Sequence, residues 1–244
     1  MKNLVFFLAL LCSSSLLAQF SYNENGSGIE TPYTTASGAA AFAMGNGATA
    51  SSNYSTAMGN GTTASGGAST AMGYGTTASG DASTAMGDYT TASGYASTAS
   101  GQGTTASGNY STALGINTTA TKQGSFAVGA DTVADGLESS ALGRGSIASG
   151  DYSTAMGYNT QASGYTSTAM GYVSNSSGNT STAMGFGTQA SGDYSTAMGQ
   201  VTTASGNYST AMGGVTRASG YYSTASGRAT TAEDYLSFVI GVHN

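Results

Sequence analysis

Residues 69–82 read Ser69-Thr70-Ala71-Met72-Gly73-Tyr74-Gly75-Thr76-Thr77-Ala78-Ser79-Gly80-Asp81-Ala82 and divide into two heptads of nearly the same text. The first carries Ala-Met-Gly and the second Ala-Ser-Gly, and the fourteen-residue pair returns down almost the whole chain. Stepping by fourteen from Met44 lands on Met58, Met72, Met86, Ser100, Leu114, Val128, Leu142, Met156, Met170, Met184, Met198, Met212, Ser226 and Ile240. The residue after each of these is Gly, from Gly45 to Gly241, and the residue before is Ala except at Val239. Seven residues out of phase runs a second series, Ala36, Ala50, Ala64 and on to Ala232, broken only by Ser176. It too is usually followed by a small residue and then Gly, with Ser52, Lys122 and Asp234 as the exceptions. The unit is therefore a fourteen-residue coil of two similar heptads, and one array runs from Thr34 to the end.

A period of seven raises the coiled coil, but each heptad carries about one Gly, at ~1 kcal/mol in a helix, and has no paired apolar seam. Collagen needs Gly at every third residue, and calcium-binding nonapeptide solenoids need a nine-residue step with regular Asp. Low-complexity disorder would not hold a register without insertion or deletion. What remains is an all-β solenoid, a parallel β-roll of about fifteen coils whose Thr-rich and Ala-rich strands are separated by Gly turns.

Alternation along a strand puts Ser69 with Ala71 on one face and Thr70 with Met72 on the other. In the second heptad Thr76 and Ala78 share one face, Thr77 and Ser79 the opposite one. The constancy of small residues at the Ser/Ala and Thr/Ala places predicts that these two faces meet inside a thin roll. Stacked methyls would fill it, with Ser and Thr hydroxyl ladders bonded from coil to coil. The Met column then lies outside. A stripe stacked at ~4.8 Å intervals along a rod of roughly 70 Å forfeits ~1.5–3 kcal/mol per side chain if left in water, so it reads as an oligomer seam. The seam residues are Met44, Met58, Met72, Met86, Leu114, Val128, Leu142, Met156, Met170, Met184, Met198, Met212 and Ile240. The rival assignment turns Met and the outer Thr inward and leaves most of the Ala series in water.

Of the 244 residues 7% are charged, with a formal charge of −6 spread over eleven acids and five bases. No basic cluster suited to phosphates exists, so nucleic acid is not an expected partner. The N-terminus MKNLVFFLALLCSSSLLAQ has Lys2, an apolar run Leu4–Leu11 and a small residue at Ala18, which reads as a signal peptide over 1–18. The run is too short to stay in a bilayer, and no other segment would span one. Leu11 stands before Cys12 where a lipidation signal wants a small residue, and processing after Ala18 would leave no cysteine. Residues 19–33 read as a lead-in that either caps the roll or stays mobile, followed by the repeat domain over 34–244.

With one His, at position 243, and no Cys after processing, neither a nucleophile dyad nor a transition-metal cluster can be assembled. No enzyme activity, cofactor or metal site is expected. Asp81, Asp88, Asp131, Asp135, Glu138, Asp151 and Asp193 fall in turns and read as solvated, with calcium as the minority alternative. The tyrosines carry more information, because most follow a turn Gly or its replacement and so line the edges of the rod. They cover coil edges, and they also offer an adhesive surface, since Tyr gives large amphipathic contact and repetition gives avidity. The candidates are Tyr54, Tyr74, Tyr95, Tyr110, Tyr152, Tyr165, Tyr194 and Tyr208.

The heptads Ser-Thr-Ala-Met-Gly, Ser125–Gly129 (SFAVG), Ser139–Gly143 (SSALG) and Ser237–Gly241 (SFVIG), alternating with Thr-Thr-Ala-Ser-Gly, resemble the head repeats of YadA-like trimeric autotransporter adhesins. The resemblance covers nearly all of the chain after the leader. It implies a left-handed roll, three of which associate in parallel as a homotrimer through the apolar outer face, forming an adhesive head that binds an extracellular protein or glycan. It also implies secretion or display at the cell surface, on a Gram-negative outer membrane where a C-terminal anchor exists. The chain stops at SFVIGVHN with no neck, stalk or barrel of that family, which leaves a fragment, a free head and a head tethered by other means all open. Two other functions compete with the adhesin. One is an ice-binding solenoid using the Thr/Ser face, where Thr35, Thr49, Thr63, Thr77, Thr91, Thr105 and Thr119 form a hydroxyl array that degrades from Val133 onward. The other is a spacer of a longer surface protein.

Overall fold

In a computed structural model, residues 33–242 are described together with Ser21–Tyr22 and Ile29–Glu30. The expected signal peptide over 1–18, most of the expected lead-in and His243 lie outside the described residues. The repeat folds as a parallel β-solenoid of about fifteen coils. Each coil contributes one long strand, such as Thr70–Tyr74, and one short strand, such as Thr77–Ala78. Every strand pairs in parallel with its counterpart fourteen residues on, so Thr70, Ala71, Met72, Gly73 and Tyr74 face Thr84, Ala85, Met86, Gly87 and Asp88. The long strands build one sheet and the fifteen short strands the other. Ser21–Tyr22 pairs antiparallel with Ile29–Glu30, and Ile29 pairs with Phe42, so this hairpin continues the long-strand sheet at its N-terminal end.

The difference in strand length follows from glycine. Gly73 has φ of +125°, a conformation closed to L side chains, and it keeps the strand paired through to Tyr74. A Cβ there would also overlap the carbonyl of Gly87 one coil on. After the short strand the backbone instead bends at Ser79-Gly80. The turns are themselves laddered, since Tyr89 N–H donates to Tyr74 O at 2.8 Å and Ala82 N–H to Gly67 O at 2.7 Å. Parallel backbone bonding thus runs round the whole coil, which is how a chain with so little apolar bulk holds its register.

The interior is as thin as the alternation argument predicts. Ala71, Ala78, Ser69 and Thr76 are fully buried, as are their equivalents along the rod except Thr34, Ser237 and Val239 at its ends, while Thr70, Met72 and Thr77 are half-buried and Ser79 is exposed. Ala at 0% exposure excludes the rival assignment with Met inside.

One interior expectation is overturned. Coil-to-coil hydroxyl ladders do not form, and Thr62, Thr76, Thr90, Thr104 and Thr118 each have a buried hydroxyl oxygen with no hydrogen-bond partner. The same holds for Ser69, Ser83, Ser97 and Ser111 in the other interior column, whose buried hydroxyl oxygens also have no partner. Where Ser replaces Thr the geometry changes: Ser146 donates to Gly157 O at 3.0 Å and accepts from Thr160 at 2.9 Å. Ser174 repeats the arrangement with Gly185 O at 3.1 Å and Thr188 at 2.9 Å. In the other interior column, Ser55 and Ser181 each bond a turn carbonyl three residues back, at 2.6 Å.

Candidate interaction surfaces

The register carries Met58, Met72 and Met86 into one straight column, continued through Ser100 to Leu114, Val128, Leu142 and Met156. Met170, Met184, Met198 and Met212 follow, then Ser226 and Ile240. Met44 joins at the N-terminal end through Met58. Most of these side chains are half-buried between their own neighbours, while Met156 is 41% and Ile240 65% exposed. Beside them runs a second outward column of Thr56, Thr70 and Thr84, interrupted by Phe126 and ending at Phe238. The outer face of the long-strand sheet is thus a continuous semi-apolar ribbon. The short-strand face carries Ser37, Ser51, Ser65 and Ser79 beside half-exposed Thr, then Ile147, Gln161 and Arg217 in the outer Thr column.

The tyrosines divide between two edges. At the edge that follows the long strand, Tyr74 meets Tyr89 edge-to-face at 5.2 Å, and Tyr158, Tyr172 and Phe186 stack at 4.9 and 5.1 Å with interplanar angles of 10° and 2°. Val173, Val201 and Val215 stand there with φ of 52°, 53° and 56°, where neighbouring coils place Gly145 and Gly187. At the edge that follows the short strand lie Tyr54, Tyr95, Tyr110, Tyr152, Tyr165, Tyr194 and Tyr208. Tyr74 is therefore separated from the other seven candidates by the width of the roll. Tyr221, Tyr222 and Tyr235 share the second edge, reached by stepping by fourteen from Tyr95 and Tyr110.

On that second edge Tyr95–Tyr110 and Tyr152–Tyr165 meet edge-to-face, at 5.4 and 5.6 Å with planes 79° apart. Tyr194, Tyr208 and Tyr222 stack at 4.9 and 4.8 Å, and Tyr221 stands at 88° to Tyr222. Crowding away from water raises the Tyr221 phenol above its ordinary value, with Tyr222 adding to the effect. Tyr89 is raised first by its hydrogen bond with Tyr74.

The turn aspartates are hydrogen-bonded to the neighbouring coil rather than merely solvated. Asp81 accepts from Gly67 N–H at 2.7 Å, Asp151 from Leu137 N–H at 2.9 Å and Asp193 from Asn179 N–H at 2.8 Å. Asn53, Asn109, Asn179 and Asn207 do the same for Ala39, Tyr95, Tyr165 and Asp193. Each Asx at this position clips the coil before it, satisfying a turn N–H that the ladder leaves over. Asp131 and Asp135 accept from Asn117 and Thr121 in the same coil-to-coil sense. Among the described residues no three His, Cys, Asp or Glu side chains gather as a metal site, and no helix is long and apolar enough to cross a membrane.

The family model described as the YadA head domain repeat matches residues 36–62, 64–90, 87–111, 106–132, 134–160, 162–188, 190–216 and 218–241. A search of curated proteins found no match.

Proposed function

This chain belongs to the YadA head domain repeat family, an adhesin-type surface repeat, and from that membership we propose that it is a secreted or cell-surface head that attaches by repetition rather than through a pocket. The supporting observation is the division of the outer surface. One sheet presents a column of Met, Leu, Val and Ile interrupted only by Ser100 and Ser226, whereas the short-strand face is mostly Ser and Thr and the edges mix aromatic rings with polar residues and a few aliphatic ones such as Val173, Val201 and Val215. In this reading three chains meet in parallel on the Met column, which removes the apolar ribbon from water at ~25 cal/mol per Å². The tyrosines of the edge after the short strand remain outside and make the adhesive contacts, each weak and all repeated. The hydroxyl array of the short strands is regular over its first seven coils only, and attachment does not depend on it.

The test is adhesion itself. Beads carrying the chain without residues 1–18 are expected to stay on surfaces coated with cells, matrix protein or glycan under flow that removes albumin-coated beads. Retention no better than albumin on all three would overturn the reading.

A further inference from the structure

We infer that the edge following the short strand is a binding track for a linear neutral polysaccharide, gripped at Tyr95, Tyr165 and Tyr235 at five-coil intervals. The inference rests on the adhesin reading and names its ligand class. These residues occupy one column and are 70 positions apart, five coils in each case, or about 24 Å along the rod. They are 49%, 53% and 66% exposed.

The ring geometry separates these positions from the stacked columns on either edge, Tyr158–Tyr172–Phe186 on the first and Tyr194–Tyr208–Tyr222 on the second. Tyr158, Tyr172 and Phe186 on the first edge stack face upon face, so the central ring has both faces covered. Tyr95 and Tyr165 each have one aromatic partner, met edge-to-face. Such a contact covers at most one face of a ring, so each keeps a face clear of other rings. Tyr235, in the last coil, stacks on Tyr221 at 6.0 Å and meets Tyr222 edge-to-face, both in the coil before it, which leaves the face turned away from that coil clear of other rings.

A second observation points to a polyol. Asn109 and Asn179 sit one coil beyond Tyr95 and Tyr165, and each spends its carbonyl oxygen on that tyrosine's N–H. Each amide nitrogen thus keeps two donors beside an open ring. Ring face and amide donors together suit the apolar face and the rim hydroxyls of a pyranose. The charges on this edge, Asp81, Glu138, Asp151, Asp193 and Asp234 against Lys122 alone, disfavour nucleic acid and sulfated or uronic polymers. The Met column lies two residues from the first edge and five from the second, so a sister chain on that column leaves this track open.

The test uses pull-down of the full secreted chain on cellulose and chitin particles, with heparin-agarose as the polyanion control. Retention is expected on at least one neutral polymer and not on heparin. The triple variant Tyr95→Ala/Tyr165→Ala/Tyr235→Ala should lose at least about tenfold in apparent affinity, since removing repeated contacts removes avidity. The triple Tyr→Phe variant, which keeps the faces, should stay within about twofold, as should Tyr158→Ala/Tyr172→Ala on the first edge. Asn109→Asp/Asn179→Asp keeps the backbone clip and removes the donors, and should weaken binding severalfold at unchanged thermal stability. Equal binding by the triple Ala variant overturns the inference. So does a wild-type chain that ignores both polymers yet holds to cells or matrix protein, an outcome that leaves the adhesin reading standing. A chain that holds to nothing removes both.

Discussion

The two glycine columns occupy equivalent places in the two heptads, yet they tolerate different things. After the long strand all fifteen positions, Gly45 to Gly241, are Gly, whereas the column after the short strand admits Ser52, Lys122 and Asp234. In both, an added Cβ would run into the backbone of the next coil, as Gly87 does with Gly101 and Gly80 with Gly94. Only the long-strand column adds a positive φ, +122° at Gly87. Crowding alone yields to a local shift, and crowding with a forbidden dihedral does not. The consequence is geometric, because the long strand continues past that Gly and keeps its outer column in register.

The largest expected effect tests this difference directly. Gly87→Ala should destabilise by about 3 kcal/mol or more, adding dihedral strain of ~1–2 to overpacking of ~1–3, while Gly80→Ala should cost about 1–2. Denaturant midpoints of the two variants check it, and equal shifts would remove the distinction. Next comes Asp81→Ala, which leaves the Gly67 N–H without its acceptor and should cost about 1 kcal/mol, with faster amide exchange confined to the adjoining coils. Val201→Gly relieves a β-branched residue held at φ 53° and should gain about 0.5–1 kcal/mol, read as a raised melting temperature. The smallest effect is alkaline. The Tyr221 phenol is raised from 10.0, so its neutral form is favoured by folding; that contribution is whole below about pH 10 and fades as pH climbs through the raised value. In absorbance at 295 nm, Tyr221→Phe should therefore remove a late-titrating tyrosine rather than an early one.

The period and the inside-outside division were legible because both are properties of the chain's alternation. Ala71 and Met72 point apart in any strand, and fifteen repetitions leave one consistent roll. The fate of the interior hydroxyls was not legible. It depends on the rotamer each neighbouring coil allows: Ser146 reaches Gly157 O, while Ser69 and Thr62, equally buried, reach no partner. Nor did the sequence distinguish a solvated aspartate from Asp81 clipping Gly67, since that contact spans two turns. The edges were half legible. Their tyrosines were visible one by one, but the separation of Tyr74 from Tyr95 and the open or closed stacking of the rings needed coordinates.

In the proposed assembly the two sheets differ in what they face, the Met column meeting sister chains and the short-strand column meeting water. Sedimentation equilibrium of residues 19–244 tests it in one experiment. Wild type should sediment as a trimer, Met170→Asp/Met184→Asp should shift strongly toward monomer with its circular dichroism intact, and Thr77→Asp/Thr91→Asp should remain trimeric. A monomeric wild type, or a Met variant that stays trimeric while the Thr variant dissociates, would contradict the account.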